Sequence, residues 1–222
     1  MMHKTWILAS NSPRRKELLG LFGQPINIFP ADIDESEMVG EVPGDYVKRL
    51  AHTKAEVIAK RFPAAPLIIA ADTTVADQDE ILGKPVDERD AQRMLKQLRG
   101  RKHQVYTAIS LVVPAKNQWV EELCLSQVPM RNYQDAEIET YVASGDPLDK
   151  AGAYAIQHRG FHPVESFTGC FASVMGLPLC HLARGIAQLG LMPEVKINLA
   201  CQRYLQYDCP IAELILAGED IG

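Results

Sequence analysis

Ser10-Asn11-Ser12-Pro13-Arg14-Arg15 follows an apolar run, Ile7-Leu8-Ala9, and places cations where the start of a helix favours anions. Pro13 suits the first helical position behind a Ser12 cap, because its missing N–H costs nothing there. Arg14 and Arg15 then fall in the first turn, where the macrodipole opposes each by roughly 0.3–1 kcal/mol. Arg15 also takes the position at which a capping box carries a carboxylate. A bound anion reverses that penalty. Free backbone N–H groups, serine hydroxyls including that of Ser10, and two guanidinium forks together make a phosphate-sized receptor. The plain alternative is a solvated helix start.

Further along, polar residues interrupt apolar patterns. Lys54 lies on the helix face defined by Val47, Leu50, Ala51 and Ile58, so either its stem packs while its ammonium reaches water, or it points into a cleft and neutralises phosphate. Asp72 ends the apolar run Leu67-Ile68-Ile69-Ala70-Ala71, and ligands of open α/β sheets bind beyond the carboxyl ends of strands. A carboxylate there can hold a hard divalent cation, take a proton from water, or merely form a turn or cap. Thr73 beside it offers a hydroxyl. Glu35, in the acidic stretch Asp32 to Glu37, is a second carboxylate that alone reads as solvated. Lys84 sits in Gly83-Lys84-Pro85, a tight loop or a simple surface turn. Gln157 closes a small-residue block from Asp149, and its amide matches a uracil or thymine edge.

These residues need a scaffold, and the pattern supplies an α/β one. Strands are expected at Thr5–Ala9, Ile26–Phe29 and Leu67–Ala71, with a first helix starting behind Ser12 and a second running from Pro43 to Arg61. A third helix follows Asp87 and stops at Gly100. Val105–Val113 and Val120–Val128 read as a hairpin, followed by a helix over Ala136–Ser144, a strand near Val164–Thr168 and a helix over Pro178–Leu189. Beyond residue 190 the chain has helical and apolar stretches, Cys201–Tyr207 and Ile211–Leu216, suited to docking on the core or to a subunit contact.

With 222 residues and 47% hydrophobic content the chain supports one large α/β domain or two small lobes. A net charge of −5 argues against a stable nucleic-acid complex, so an anionic ligand must be held by a local cluster of cations. The basic run Arg99-Gly100-Arg101-Lys102-His103 reads as a helix C-terminus. No apolar run reaches membrane-spanning length, and the start, Met-Met-His-Lys-Thr-Trp, lacks a signal peptide's apolar stretch. Five cysteines without a Cys-x-x-Cys pair suit a reducing, cytoplasmic compartment better than disulfides or structural zinc. His158 and His162 have metal-ligand spacing, but Gly160 between them argues against a helix and a metal.

The Leu8-Ala9-Ser10-Asn11-Ser12-Pro13-Arg14-Arg15 stretch resembles the signature of the Maf family. Arg49-Leu50-Ala51 with Lys54-Ala55, Ala71-Asp72-Thr73-Thr74-Val75, Gly83-Lys84-Pro85, Asp149 to Gln157 and Gly176-Leu177-Pro178-Leu179 follow in the family's order. The resemblance spans about residues 5–190, implying a domain over 1–190, and leaves 191–222 as an extension of unassigned role. It implies a twisted mixed sheet with flanking helices, two lobes around a deep cleft in the manner of inosine triphosphatases, and a cytoplasmic homodimer. It also implies a nucleoside triphosphate pyrophosphatase acting on dTTP, UTP and related modified pyrimidine nucleotides with a divalent cation, Mg or Mn.

Position by position, the resemblance makes Asp72 the proton acceptor and, with Glu35, a metal ligand. It associates Arg14, Thr73 and Gln157 with substrate preference and places Ser10, Arg15, Lys54 and Lys84 in the cleft. The chain departs from the common family pattern at Ala155 and His158, where glycine is frequent, and at Ser173, where asparagine is. Two other readings stay open: a sister Maf class that prefers 7-methyl-GTP, and a nucleotide-binding regulator of cell division without catalysis. Ala71-Asp72-Thr73 and the Lys150-Ala151-Gly152-Ala153-Tyr154 block favour the pyrimidine class.

Overall fold

The computed structural model describes residues 5–222, so the reading of Met1–Lys4 as the start of a chain without a signal peptide lies outside the described residues. Apolar strands flanked by amphipathic helices build one mixed six-stranded sheet in the order β2-β1-β3-β5-β6, with β4 added on β3. β1 (Trp6–Leu8) leads through α1 (Pro13–Gly20) to β2 (Ile26–Ile28), and both β2 and β3 (Ile68–Asp77) run parallel to β1. α2 (Pro43–Arg61) connects β2 to β3. A tight turn at Gln78 and Asp79 makes β4 (Glu80–Leu82), and α3 (Glu88–Leu98) follows behind its Asp87 cap. The expected hairpin is formed by β5 (Lys102–Val113) and β6 (Gln118–Pro129), antiparallel throughout.

Asp72 does not end its strand. β3 continues to Asp77 because β5 pairs with it from Ile68 opposite Val112 to Ala76 opposite Gln104. On the other edge of β3 the pairing is interrupted. β1 reaches only Ile68 and Ile69, and pairing with β4 starts at Val75, opposite Leu82. Asp72 and Thr73 therefore sit in a fork of the sheet, past the carboxyl end of β1, and the crevice expected at a strand end is that of β1.

Alternation along β3 sends neighbouring side chains to opposite faces. Ile68 and Ala70 pack with Ala55 and Ile58 of α2, while Ile69, Ala71 and Val75 join the larger core on the opposite face. Asp72 shares the parity of Ile68 and faces α2; Thr73 faces α1. That core also takes α4 (Asp135–Ala143), α5 (Phe171–Val174) and α6 (Leu179–Gln188).

The strand expected at Val164–Thr168 is absent: Val164 makes only an isolated bridge to Met130, and Ser166 adopts a positive φ of 52° that breaks an extended run. The extension forms α7 (Ile197–Leu205) and α8 (Ala212–Leu216), which pack on α6; Ala212 and Ile215 share a cluster with Cys180. Arg184 of α6 pairs with buried Glu122 on β6 and also donates to Glu219 O at 2.8 Å and Asp220 Oδ1 at 2.9 Å. In the basic run, Arg99 pairs with Asp135 at 2.6 Å and Arg101 with Asp77 at 2.8 Å, while Lys102 and His103 already belong to β5. Among the described residues no helix is long and apolar enough to cross a membrane.

Candidate active site

The fork opens into a cleft of about 520 Å³ lined by the start of α1, the Glu35 loop, the middle of β3, Gly83-Lys84 and the block from Asp149 to Gln157. At its floor Lys54 is buried, and its Nζ lies 2.6 Å from Asp72 Oδ1 and 2.6 Å from Glu35 Oε1. The snorkelling alternative for Lys54 is thereby set aside: its ammonium turns inward between two carboxylates. Burial raises the pKa of Asp72 above the ordinary carboxylate range, against the opposing pull of Lys54 and Arg15. Asp72 Oδ2 has no hydrogen-bond partner among the described residues.

Ser12 caps α1 as expected, accepting from Arg15 N–H at 3.4 Å with Pro13 behind it and no acidic residue in the first turn. The two arginines part company. Arg15 turns into the protein: its Nε donates to Gly176 O at 2.9 Å, Nη2 to Thr73 Oγ1 at 3.1 Å and Nη1 to Ser10 Oγ at 3.3 Å. Burial lowers its pKa, with Asp72 working in the opposite direction. Arg15 thus commits three of its donors to Gly176, Ser10 and Thr73 while still lining the cleft. Arg14 lines the cleft with no hydrogen-bond or ion-pair partner among the described residues.

Gly176, at φ 112°, makes this bracing fit; a Cβ there would sit 3.3 Å from Arg15 Nε. Ser10 Oγ also accepts from Ser12 N–H at 3.2 Å, which leaves its own proton to donate elsewhere. Thr107 Oγ1 lies 3.0 Å from Thr73 Oγ1 and 2.9 Å from Ser173 O, fixing Thr73 from the β5 side.

On the opposite wall, Gly152 N–H donates to Gly83 O at 3.1 Å and joins the Lys84 loop to the block ending at Gln157. Gly152 packs its backbone against β3: at φ 67° a Cβ there would meet Val75 side-chain atoms at 2.9 Å. Lys84 is exposed at the cleft edge without an ion pair, and Gln157 has no hydrogen-bond partner, both among the described residues. Tyr141 supports the block from behind, accepting from Ala155 N–H at 3.0 Å and donating to Asp146 at 2.6 Å. Tyr154 Oη and His103 Nε2 share a hydrogen bond at 2.8 Å, and burial pushes the His103 pKa down to about 4.

The cleft also contains residues that sequence reasoning passed over. Lys150, inside the block, is buried and paired with Asp146 and Asp149. Tyr46 of α2 lines the cleft beside Glu35, with nothing in its local sequence to mark it. His158 Nδ1 accepts from Phe161 N–H at 2.9 Å. Among the described residues no group of three or more His, Cys, Asp or Glu side chains is placed to hold a metal. The donors that converge are the hard oxygens of Asp72 and Glu35 about one cation, with Glu35 53% exposed. That set fits Mg or Mn, which bind through one or two carboxylates together with substrate phosphates and water.

Fold and site thus define an α/β protein whose cleft is built for a polyanion and armed with a buried carboxylate. The chain belongs to the family of Maf-like proteins, whose model matches residues 5–189. A protein of Geobacter sp. (strain M21) named dTTP/UTP pyrophosphatase is 41% identical over 192 residues, 86% of this chain and 99% of the other. A protein of the same name from Anaeromyxobacter dehalogenans (strain 2CP-1) is 45% identical over 186 residues, 83% and 93% of the two chains. Among solved structures, the Ham1 protein of Staphylococcus aureus aligns with a TM-score of 0.47 at 15% identity, covering 91% of this chain and 98% of that one.

Proposed function

We propose that this chain is a nucleoside triphosphate pyrophosphatase that hydrolyses dTTP, UTP and related modified pyrimidine triphosphates to the monophosphate and pyrophosphate. The observation that carries the reading is the buried Asp72 carboxylate, held at 2.6 Å by Lys54 in a cleft whose rim bears Arg14 and Lys84. The names of the relatives agree with it.

In this reading the triphosphate lies against the start of α1, where free N–H groups and Arg14 take its oxygens. Asp72, with Oδ2 free, accepts a proton from a water molecule whose oxygen attacks the α-phosphorus. The bond from the α-phosphorus to the bridging oxygen breaks, and pyrophosphate leaves. Lys84, Arg14 and Lys54 offset the charge that develops on it. Ser10 and Thr73, braced by Arg15, present hydroxyls along the path, and Gln157 offers its amide to the pyrimidine edge. Asp72 and Glu35 would hold a divalent cation, Mg or Mn, which supplies charge neutralisation at the phosphate oxygens when bound.

Free cysteines at all five positions support a reducing, cytoplasmic setting. The homodimer rests on the family resemblance, and light scattering tests it. Residues 191–222 are read as an addition to a catalytic unit of residues 1–190 that brackets α6 and leaves the cleft untouched. A pyrophosphate-release assay over canonical and modified triphosphates, with and without divalent metal, tests the activity. Preference for 7-methyl-GTP, or nucleotide binding without release, overturns it.

A further inference from the structure

Asp32 to Glu41 contains no helix or strand, yet it delivers Glu35 to Lys54. Among the described residues, apart from the local bond of Ser36 N–H to Asp34 Oδ1, every side-chain hydrogen bond and ion pair tying Glu35–Glu41 to the rest of the molecule runs to α2. Lys54 holds the Glu35 carboxylate from inside. From outside, Tyr46 Oη donates to Glu35 O at 2.9 Å, and Arg49 Nη2 donates to the next carbonyl, Ser36 O, at 3.0 Å. The Arg49 fork also grips the Glu41 carboxylate with bonds of 2.6 and 2.7 Å, and Glu41 accepts from Met38 N–H at 3.1 Å. Arg49 lies over the Tyr46 ring at 5.6 Å from its centroid, as residues three apart on one helix can.

A half-exposed carboxylate on an irregular loop is poorly held by one ion pair, since such pairs contribute only about 0–1 kcal/mol. Two consecutive backbone carbonyls fixed to a long helix restrict it far more. The Glu41 carboxylate in the Arg49 fork is 9% exposed and the pair is bidentate, a geometry that persists where simple surface pairs do not. Burial, with the charges of Asp72 and Glu35, pushes the Tyr46 hydroxyl up to about 12, so it remains a donor across the working pH range.

We propose that Tyr46 and Arg49 are positioning residues: they fasten the Glu35–Ser36 backbone to α2 so that the Glu35 carboxylate is presented beside Lys54 and Asp72. The proposal rests on the reading of Glu35 as part of the working site.

The test is a mutant cycle on the full chain with dTTP or UTP, pairing Tyr46→Phe with Glu35→Gln, and Arg49→Lys with Glu35→Gln. Tyr46→Phe keeps the ring and removes one hydroxyl, so the fold survives; thermal unfolding verifies it. Each positioning variant is expected to lower kcat about fivefold in the presence of Glu35 and less than twofold in the Glu35→Gln background. Amide hydrogen exchange over residues 35–41 is expected to quicken in both variants without any change in β3. Equal losses in both backgrounds, or unchanged loop exchange, overturn the proposal while leaving the activity assignment standing. Wild-type turnover in Glu35→Gln alone removes Glu35 from the working site, and the proposal falls with it.

Discussion

Asp72 and Lys54 form a pair whose two halves pull in opposite directions. Burial raises the Asp72 carboxyl, which suits a proton acceptor, and the ammonium 2.6 Å away restrains that rise. Asp72→Asn is expected to abolish pyrophosphate release while nucleotide binding persists, because volume and backbone pairing are unchanged and only the acceptor is lost. Near-normal turnover would remove Asp72 from the chemistry. A base must be deprotonated, so kcat/KM is expected to fall as pH drops through the raised Asp72 value. Lys54→Gln withdraws the restraining cation and should move that acidic limb upward. A limb that moves downward contradicts the assignment of Asp72 as the titrating group.

At the scale of elements, the first turn of α1 divides its two arginines between the ligand and the protein. Arg14→Ala is expected to weaken triphosphate binding and to leave the empty protein as stable or slightly more stable, since a first-turn cation opposes the macrodipole. Arg15→Ala should instead cost about 1–3 kcal/mol, because three hydrogen bonds to Gly176, Thr73 and Ser10 disappear. Urea unfolding of both variants decides the matter; equal effects would show that the division is absent. The opposite wall depends on Gly152 lying close against β3. Gly152→Ala combines a positive φ with Cβ contacts of 2.9 Å to a stiff Val75, so a loss of about 2 kcal/mol is expected. Pyrimidine discrimination should weaken with it, read as a smaller ratio of UTP to CTP turnover, because Gln157 ends the same block.

For the whole molecule, stability should carry the mark of one buried imidazole. His103 is fully buried on β5, its Nε2 shares a hydrogen bond with Tyr154, and its pKa falls from 6.5 to about 4. Between those values the unfolded chain binds a proton that the folded chain does not. The contribution is therefore complete above pH 6.5 and is lost as pH falls towards 4, amounting to about 3 kcal/mol. Chemical denaturation from pH 4 to 7 measures it. His103→Gln should flatten that dependence, and an unchanged slope would assign it to other groups.

Local pattern alone was enough for the helices that carry Arg14 and Lys54, the apolar core strand, the β5–β6 hairpin and the Gly100 stop, since capping and periodicity are short-range. It also marked Asp72, Lys84 and Gln157 as polar residues worth placing together. Where β3 ends was beyond its reach, because that depends on how far β5, a separate stretch of the chain, runs beside it. The same holds for Arg15. Neighbouring helical residues point about 100° apart, so the two arginines meet different partners although both line the cleft. Only the arrival of Gly176, 161 residues downstream, determined which one is braced. Tyr46 carries no local signature, and Arg49 is marked only as the start of the Arg49-Leu50-Ala51 block: the role of both exists only once the irregular loop from Asp32 to Glu41 lies back across α2, a contact made by tertiary packing rather than by sequence spacing.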